Sequence, residues 1–221
     1  MASSWAEHFE REQVRYEDGE ARVAGLAEPD ERQRQLTRMG NAATGAGLAL
    51  LMDGRADEAA GWFARAAGGY RGSFPEAPPG SWGRPIGALK ARVLAQDWAS
   101  AADDARWTLA TGAAGGESPI GRYAACLAQL VLADDGQAQG LAASLLGRDD
   151  FPDDVARAVR AIAGPDAAAY ASAVREVLGS FEARDAYLED VAVADTVIVL
   201  QALAARRGLT IELRSPLLPR R

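Results

Sequence analysis

Apolar side chains recur every three or four positions in this chain, in runs that each stop at a glycine or an aspartate. A helix with such a stripe must bury it against a neighbour, so the rhythm calls for helices packed on helices. Leu36, Met39, Ala43, Gly47 and Leu50 make one apolar face, and Asp53 and Gly54 interrupt it. Ala59, Trp62, Phe63, Ala66, Ala67 and Tyr70 make the face that answers it, and together the two predict a helical hairpin.

The same grammar continues down the chain. Residues 86–96 break at Asp97 before 98–110, and 120–132 break at 134–136 before 138–146. Residues 155–163 turn at Gly164, Pro165 and Asp166 into 167–183. The breaks at Gly54, Asp97, Gly136 and Gly164 fall about 28 to 43 residues apart, the spacing of degenerate helix-turn-helix units. Ahead of these units, Ser4 and Glu7 form a capping box that opens a helix over 4–16, stopped by Asp18 and Gly19. Pro29 and Asp30 open the next helix.

At the other end, a helix over 191–207 stops at Gly208, with Arg206 and Arg207 placed for its last carbonyls. Residues 210–213 alternate as a short extended segment, and 215–219 suggest polyproline geometry. The expected architecture is therefore all-α, with stacked antiparallel helical hairpins and a short extended C-terminal cap. It is expected as one domain over 1–221: an N-terminal helical region at 1–28, hairpins at 29–184, and the last helix and tail at 185–221.

Gly47, Gly54, Ala59, Phe63 and Ala66 follow the small-and-large pattern of a tetratricopeptide repeat, which this stretch resembles. Trp98, Ala101 and Ala105 echo it in part. The resemblance implies a right-handed α-α superhelix and recognition of a peptide or protein. A second resemblance lies in the tail, where an apolar helix leads into Arg207, Gly208 and Leu209, an alternating run, and Ser215 to Pro219. That ending is similar to the ends of some all-α immunity proteins of bacterial polymorphic toxin systems, and it implies a toxin as partner.

Charge and residue usage narrow the functions further. A formal net charge of −7 works against binding the phosphate backbone, so no nucleic-acid partner is expected. Lys90 is the only lysine among 24 basic residues. One cysteine, Cys126, excludes an internal disulfide, and one histidine, His8, leaves no Cys/His zinc site; no metal or cofactor is expected. The first residues carry neither a basic region nor an apolar core of the kind that directs secretion, and no apolar run is long enough for a bilayer. A cytoplasmic location without a membrane partner is the expectation, and a homodimer is compatible with it.

Groups that could carry chemistry are few. Asp149, Asp150, Asp153 and Asp154 lack the spacing of a calcium loop and suit a helix start behind Pro152. Glu182, Asp185, Glu189 and Asp190 read as a solvated acidic connection, Cys126 as a small buried side chain, and His8 as a surface residue. With no nucleophile elbow, phosphate loop or histidine base, no enzyme and no catalytic residue is expected.

Three glycines, Gly40, Gly45 and Gly47, would each cost roughly 1 kcal/mol in an isolated helix. They are expected to admit a neighbouring helix. The stretch 71–85, with Phe74, Trp82 and Arg84, is the longest irregular segment expected, and either Phe74 and Trp82 pack onto helix ends, the favoured reading, or the loop is a binding element. Binding is assigned to Asn41, Trp82, Arg84, Arg122 and Tyr123 on the first helices of the hairpins. The leading function is non-catalytic protein or peptide binding. The alternatives are an immunity protein that neutralises a toxin, and a small-molecule binder or enzyme with a pocket near 71–85.

Overall fold

A computed structural model describes residues 4–220 of the chain, and every regular element in that stretch is helix. Among the described residues there are ten α-helices and no strand. Met1, Ala2, Ser3 and Arg221 lie outside the described residues, and with them the first positions on which the reading of the N-terminus rests.

Two compact units emerge. One contains the chain up to Asp97, the segment Asp185–Val193 and the tail from Pro216; the other contains Trp98–Arg184 and Ala194–Ser215.

In the first unit, α1 (Trp5–Val23), α2 (Pro29–Met52), α3 (Ala56–Ser73) and α4 (Gly83–Leu94) pack in sequence order, α2 between α1 and α3 and α3 against α4. The capping box closes the start of α1: the Glu7 backbone N–H donates to Ser4 Oγ at 3.2 Å, and the Ser4 N–H donates to Glu7 Oε2 at 2.7 Å. Pro29 occupies the first turn of α2, as expected.

From Ala42 to Leu50 every residue of α2 is buried, so its second half is a central rod covered on all sides. Its glycines explain how. A Cβ on Gly47 would lie 2.6 Å from the Phe63 ring, and one on Gly40 would lie 3.0 Å from the Tyr70 ring. The expected close approach is thus met by rings seated on bare backbone, and the fully buried Phe63 contributes about 1.5–3 kcal/mol by leaving water.

The sequence expectation for α1 needs correction. The helix runs through Asp18 and Gly19 to Val23, because a Cβ at Gly19 would lie 2.6 Å from Gln35 and Met39 of α2. Gly19 is there for packing rather than termination. Phe9 and Tyr16 also fix α1, each meeting Trp62 of α3 edge to face, with centroids 5.7 and 5.5 Å apart. His8 is half-buried rather than a surface residue, its ring 5.6 Å from that of Trp5.

The second unit contains α5 (Trp98–Ala110), α6 (Pro119–Leu132), α7 (Asp135–Ala143), α8 (Asp153–Ala163), α9 (Ala167–Glu182) and α10 (Asp195–Ala205). Here α6 is the central rod, buried from Tyr123 through Ala128 and in contact with α5, α7 and α8. Three of the four carboxylates around Pro152 are taken up by protein donors. Asp150 pairs with Arg148, Asp153 accepts from the Gly147 N–H and from Arg157, and Asp154 accepts from Ser180. Cys126 is buried, as expected, and burial pushes its thiol up to about 12.

Two boundaries differ from expectation. The turn before α7 uses Ala133 at φ 60° with Asp134 as N-cap, so Gly136 lies inside the helix. The last helix begins at Asp195, not Val191, because Val191, Val193 and Ala194 are buried in non-helical backbone.

Arg206 and Arg207 reach beyond their own helix. Arg207 donates to Leu203 O at 3.1 Å and to Leu130 O at 2.9 Å, and it pairs with Asp135, while Arg206 donates to Val131 O at 2.8 Å and covers the Trp98 ring at 4.3 Å. The open carbonyl end of α6 is thereby capped by side chains from the two residues that follow α10. The tail bends at Pro216–Leu218 where polyproline geometry was expected, because Leu217 and Leu218 turn inward and are buried.

Candidate functional site

The stretch 71–85 is shorter than expected: α3 extends to Ser73 and α4 opens at Gly83, leaving 74–82 irregular. The connection between α9 and α10 is longer. Within 74–82, Phe74 and Trp82 pack on each other with centroids 6.2 Å apart, and Gly80 supplies a φ of 79° for the turn. This ring pair closes the loop and brings α4 in with Arg84 in its first turn.

Arg84 is half-buried, and its surroundings are unusual for a cation. Its Nε donates to Ser73 Oγ at 3.0 Å and to Thr37 Oγ1 at 3.2 Å, and its Nη2 donates to Gln33 Oε1. Both hydroxyls are committed as acceptors on that side. Thr37 donates its own proton to Gln33 O and Ser73 donates to Tyr70 O, each at 2.8 Å. Gln33, only 2% exposed, is fixed in turn by donating to Asp30 at 2.9 Å.

The guanidinium is therefore oriented by three neutral oxygens and forms no ion pair with a described residue. Burial alone pulls its pKa below the ordinary arginine value, and it stays charged at neutral pH. Of the five N–H donors of an arginine, the two engaged here leave Nη1 and half of Nη2 unused. A half-desolvated cation held in one geometry with open donors is suited to a carboxylate or phosphate arriving from outside.

Asn41 stands one turn beyond Thr37 on α2 and accepts from the Tyr70 hydroxyl at 2.9 Å. Asn41, Trp82 and Arg84 thus all belong to the first unit, Asn41 held by Tyr70, Trp82 by Phe74 and Arg84 by Gln33, Thr37 and Ser73. Arg122 and Tyr123 belong to the other unit. Arg122 is half-buried and donates to Gly116 O at 3.1 Å, while Tyr123 is buried against Phe151 with centroids 5.3 Å apart, and burial raises its phenol pKa.

Sequence reasoning missed Gln33, Thr37 and Ser73 as the partners of Arg84. A signal was present: Gln33, Thr37 and Asn41 are spaced four apart, a polar line along one side of α2.

A second polar cluster was also missed. Glu12, fully buried, accepts from Arg11 at 2.8 Å and Arg15 at 3.0 Å, and Arg15 also pairs with Glu189. Gly45 makes room for it, since a Cβ there would lie 3.0 Å from the Glu12 side chain. Glu189 is only 12% exposed, so the expectation of a wholly solvated acidic connection is corrected.

Among the described residues no group of three or more His, Cys, Asp and Glu side chains is arranged to hold a metal ion, and no helix is long and apolar enough to cross a membrane. No protein-family model, curated protein or solved structure matches the chain.

Proposed function

We propose that this protein is a tetratricopeptide-like binding protein that recognises a protein or peptide partner without catalysing a reaction, and that Arg84 receives an acidic group of that partner. The observation that carries this is the guanidinium held by Gln33, Thr37 and Ser73 with no carboxylate beside it. Leaving a half-buried charge without a counter-ion costs stability, and a partner that supplies one gains both the Coulomb term and the released strain of an unmet donor set.

The helix layer supports the same reading. Rings seated on Gly47 and Gly40 hold α2 and α3 close and rigid, so Asn41 and Arg84 are presented from fixed elements rather than from a loop. Trp82 adds a half-buried aromatic two residues from Arg84, a pairing enriched among residues that dominate binding energy.

Affinity purification from the native cell tests the proposal, with the wild type and Arg84→Gln run in parallel. The expected result is a polypeptide retained by the wild type and weakened about tenfold or more by the substitution, while thermal melting shows both proteins folded. Retention of a small molecule alone, or a polypeptide held equally by both proteins, rejects it.

A further inference from the structure

A cleft of about 580 Å³ lies within the second unit, framed by Gln139 of α7, by Arg157, Arg160 and Ala161 of α8, by the Gly164–Asp166 turn, and by one side of α9. Its size falls in the range of small-molecule sites, roughly 300–1,000 Å³. The cleft exists because Ala161, Gly164, Ala169 and Ala173 place little or no side chain where two adjacent helices would otherwise interdigitate.

The charged groups on its walls are unequally committed. Arg157 is spent: its Nε donates to Asp153 at 2.8 Å, and its Nη1 and Nη2 donate to Glu176 at 3.1 and 2.5 Å. Of these three side chains only Arg157 lines the cleft, and its charge is already met by the other two. Arg160, one turn further along α8, makes no side-chain hydrogen bond or ion pair with any described residue. Asp166 uses one oxygen to accept the Ala169 N–H at 3.0 Å and keeps the other open. Gln139 donates to Ala163 O at 3.0 Å, which fixes the amide and leaves its carbonyl as an acceptor. One cation and two acceptors with capacity left over therefore belong to residues that line the same cleft.

We propose that this cleft binds a small anion carrying hydroxyl or amino groups, with the anionic end on Arg160 and the donors on Asp166 and Gln139. A bare anion satisfies only Arg160 and meets the Asp166 carboxylate unfavourably. A neutral polyol leaves Arg160 unused. An anion with its own N–H or O–H donors satisfies all three, and whether its charge is a phosphate or a carboxylate is left open by a single guanidinium, which takes either. The site is separate from Arg84 and does not depend on the partner proposed there.

Calorimetric titration of the full chain with D-glucose 6-phosphate, D-gluconate, L-glutamate and inorganic phosphate tests this. At least one of the first three is expected to bind in the millimolar range or tighter, and more strongly than inorganic phosphate. Arg160→Ala should weaken that binding about tenfold, and Ala169→Trp, at an exposed position on the cleft wall, should abolish it. In the wild type, amide shifts on titration should centre on Gly164, Ala169 and Ser172, a readout independent of how the variants fold.

Glucose 6-phosphate alone would identify a phosphate site, and gluconate or glutamate a carboxylate site. Four results would overturn the proposal: no binding by any of the three at millimolar concentration, inorganic phosphate binding as well as they do, binding untouched by either substitution, or amide shifts elsewhere.

Discussion

The two central helices, α2 and α6, solve the same problem with different materials. Each is buried around its circumference, yet α2 does it with glycines that admit Phe63, Tyr70 and Glu12, whereas α6 does it with alanines and aliphatic side chains and has its end capped by Arg206 and Arg207. In α2 the specificity lies along the rod, in the fit of ring to backbone. In α6 it lies at the terminus, in carbonyls that need donors. Glycine content and terminal arginines are therefore signs of two packing strategies rather than of weak helices.

The largest expected effect is on the α2 side. Phe63→Ala should cost about 3–5 kcal/mol, since the ring is fully buried and its seat on Gly47 cannot collapse. Urea unfolding should show an early transition while the Cys126 thiol remains shielded from a labelling reagent. Cys126 labelling that rises in step would break the comparison, because the two rods would then share one cooperative core.

Arg207→Ala should cost roughly 2 kcal/mol by stripping donors from the Leu130 and Leu203 carbonyls and leaving Asp135 without its partner. The measurement is the rate of Cys126 labelling, expected to rise; an unchanged rate would remove terminal capping from the account of α6.

Alkaline pH sharpens the contrast further. The folded Cys126 thiol holds its proton up to about 12, against an ordinary value of 9.0, so the unfolded chain releases it first as pH rises. Stability from this group is complete below about pH 9 and falls by about 1.4 kcal/mol per pH unit from there towards 12. Unfolding free energies of the wild type and Cys126→Ala, compared at pH 8 and pH 10, should differ in this slope; parallel curves would contradict it.

The smallest effect is the most direct on glycine. Gly47→Ala should lose about 1–2 kcal/mol, because overpacking against Phe63 exceeds the gain in helix propensity. Gly179→Ala in α9, where a Cβ meets nothing within 4 Å, should gain up to about 1 kcal/mol. Thermal melts of the two variants should move in opposite directions.

Local chemistry was legible in the residues themselves. The capping box at Ser4 and Glu7, Pro29 in the first turn of α2, the 98–110 helix and the Gly54 turn are each written within a few residues of where they act. What escaped was set by distant partners. Gly19 and Gly136 look like breakers until a neighbouring helix, or an alanine taking the positive φ, supplies a reason to continue. The reach of Arg206 and Arg207 to α6 could not be seen from their own helix.

Of the candidate site, Trp82 and Arg84 were visible as an aromatic and a cation beside an interruption. The oxygens that orient Arg84 come from residues 11 to 51 positions away and belong to two other helices, α2 and α3. Spacing along one helix could suggest Gln33 and Thr37 but not that they meet Arg84.

The clasp of Arg15 with Glu189 joins positions 174 apart. During synthesis, α1 leaves the ribosome long before the carboxylate that completes its buried charge cluster exists, and Glu12 must wait with Arg11 and Arg15 as its only company. The first unit thus finishes last: its final pieces arrive after nearly all of the second has been made, and a cut at Asp97 would yield a fragment lacking part of its own interior.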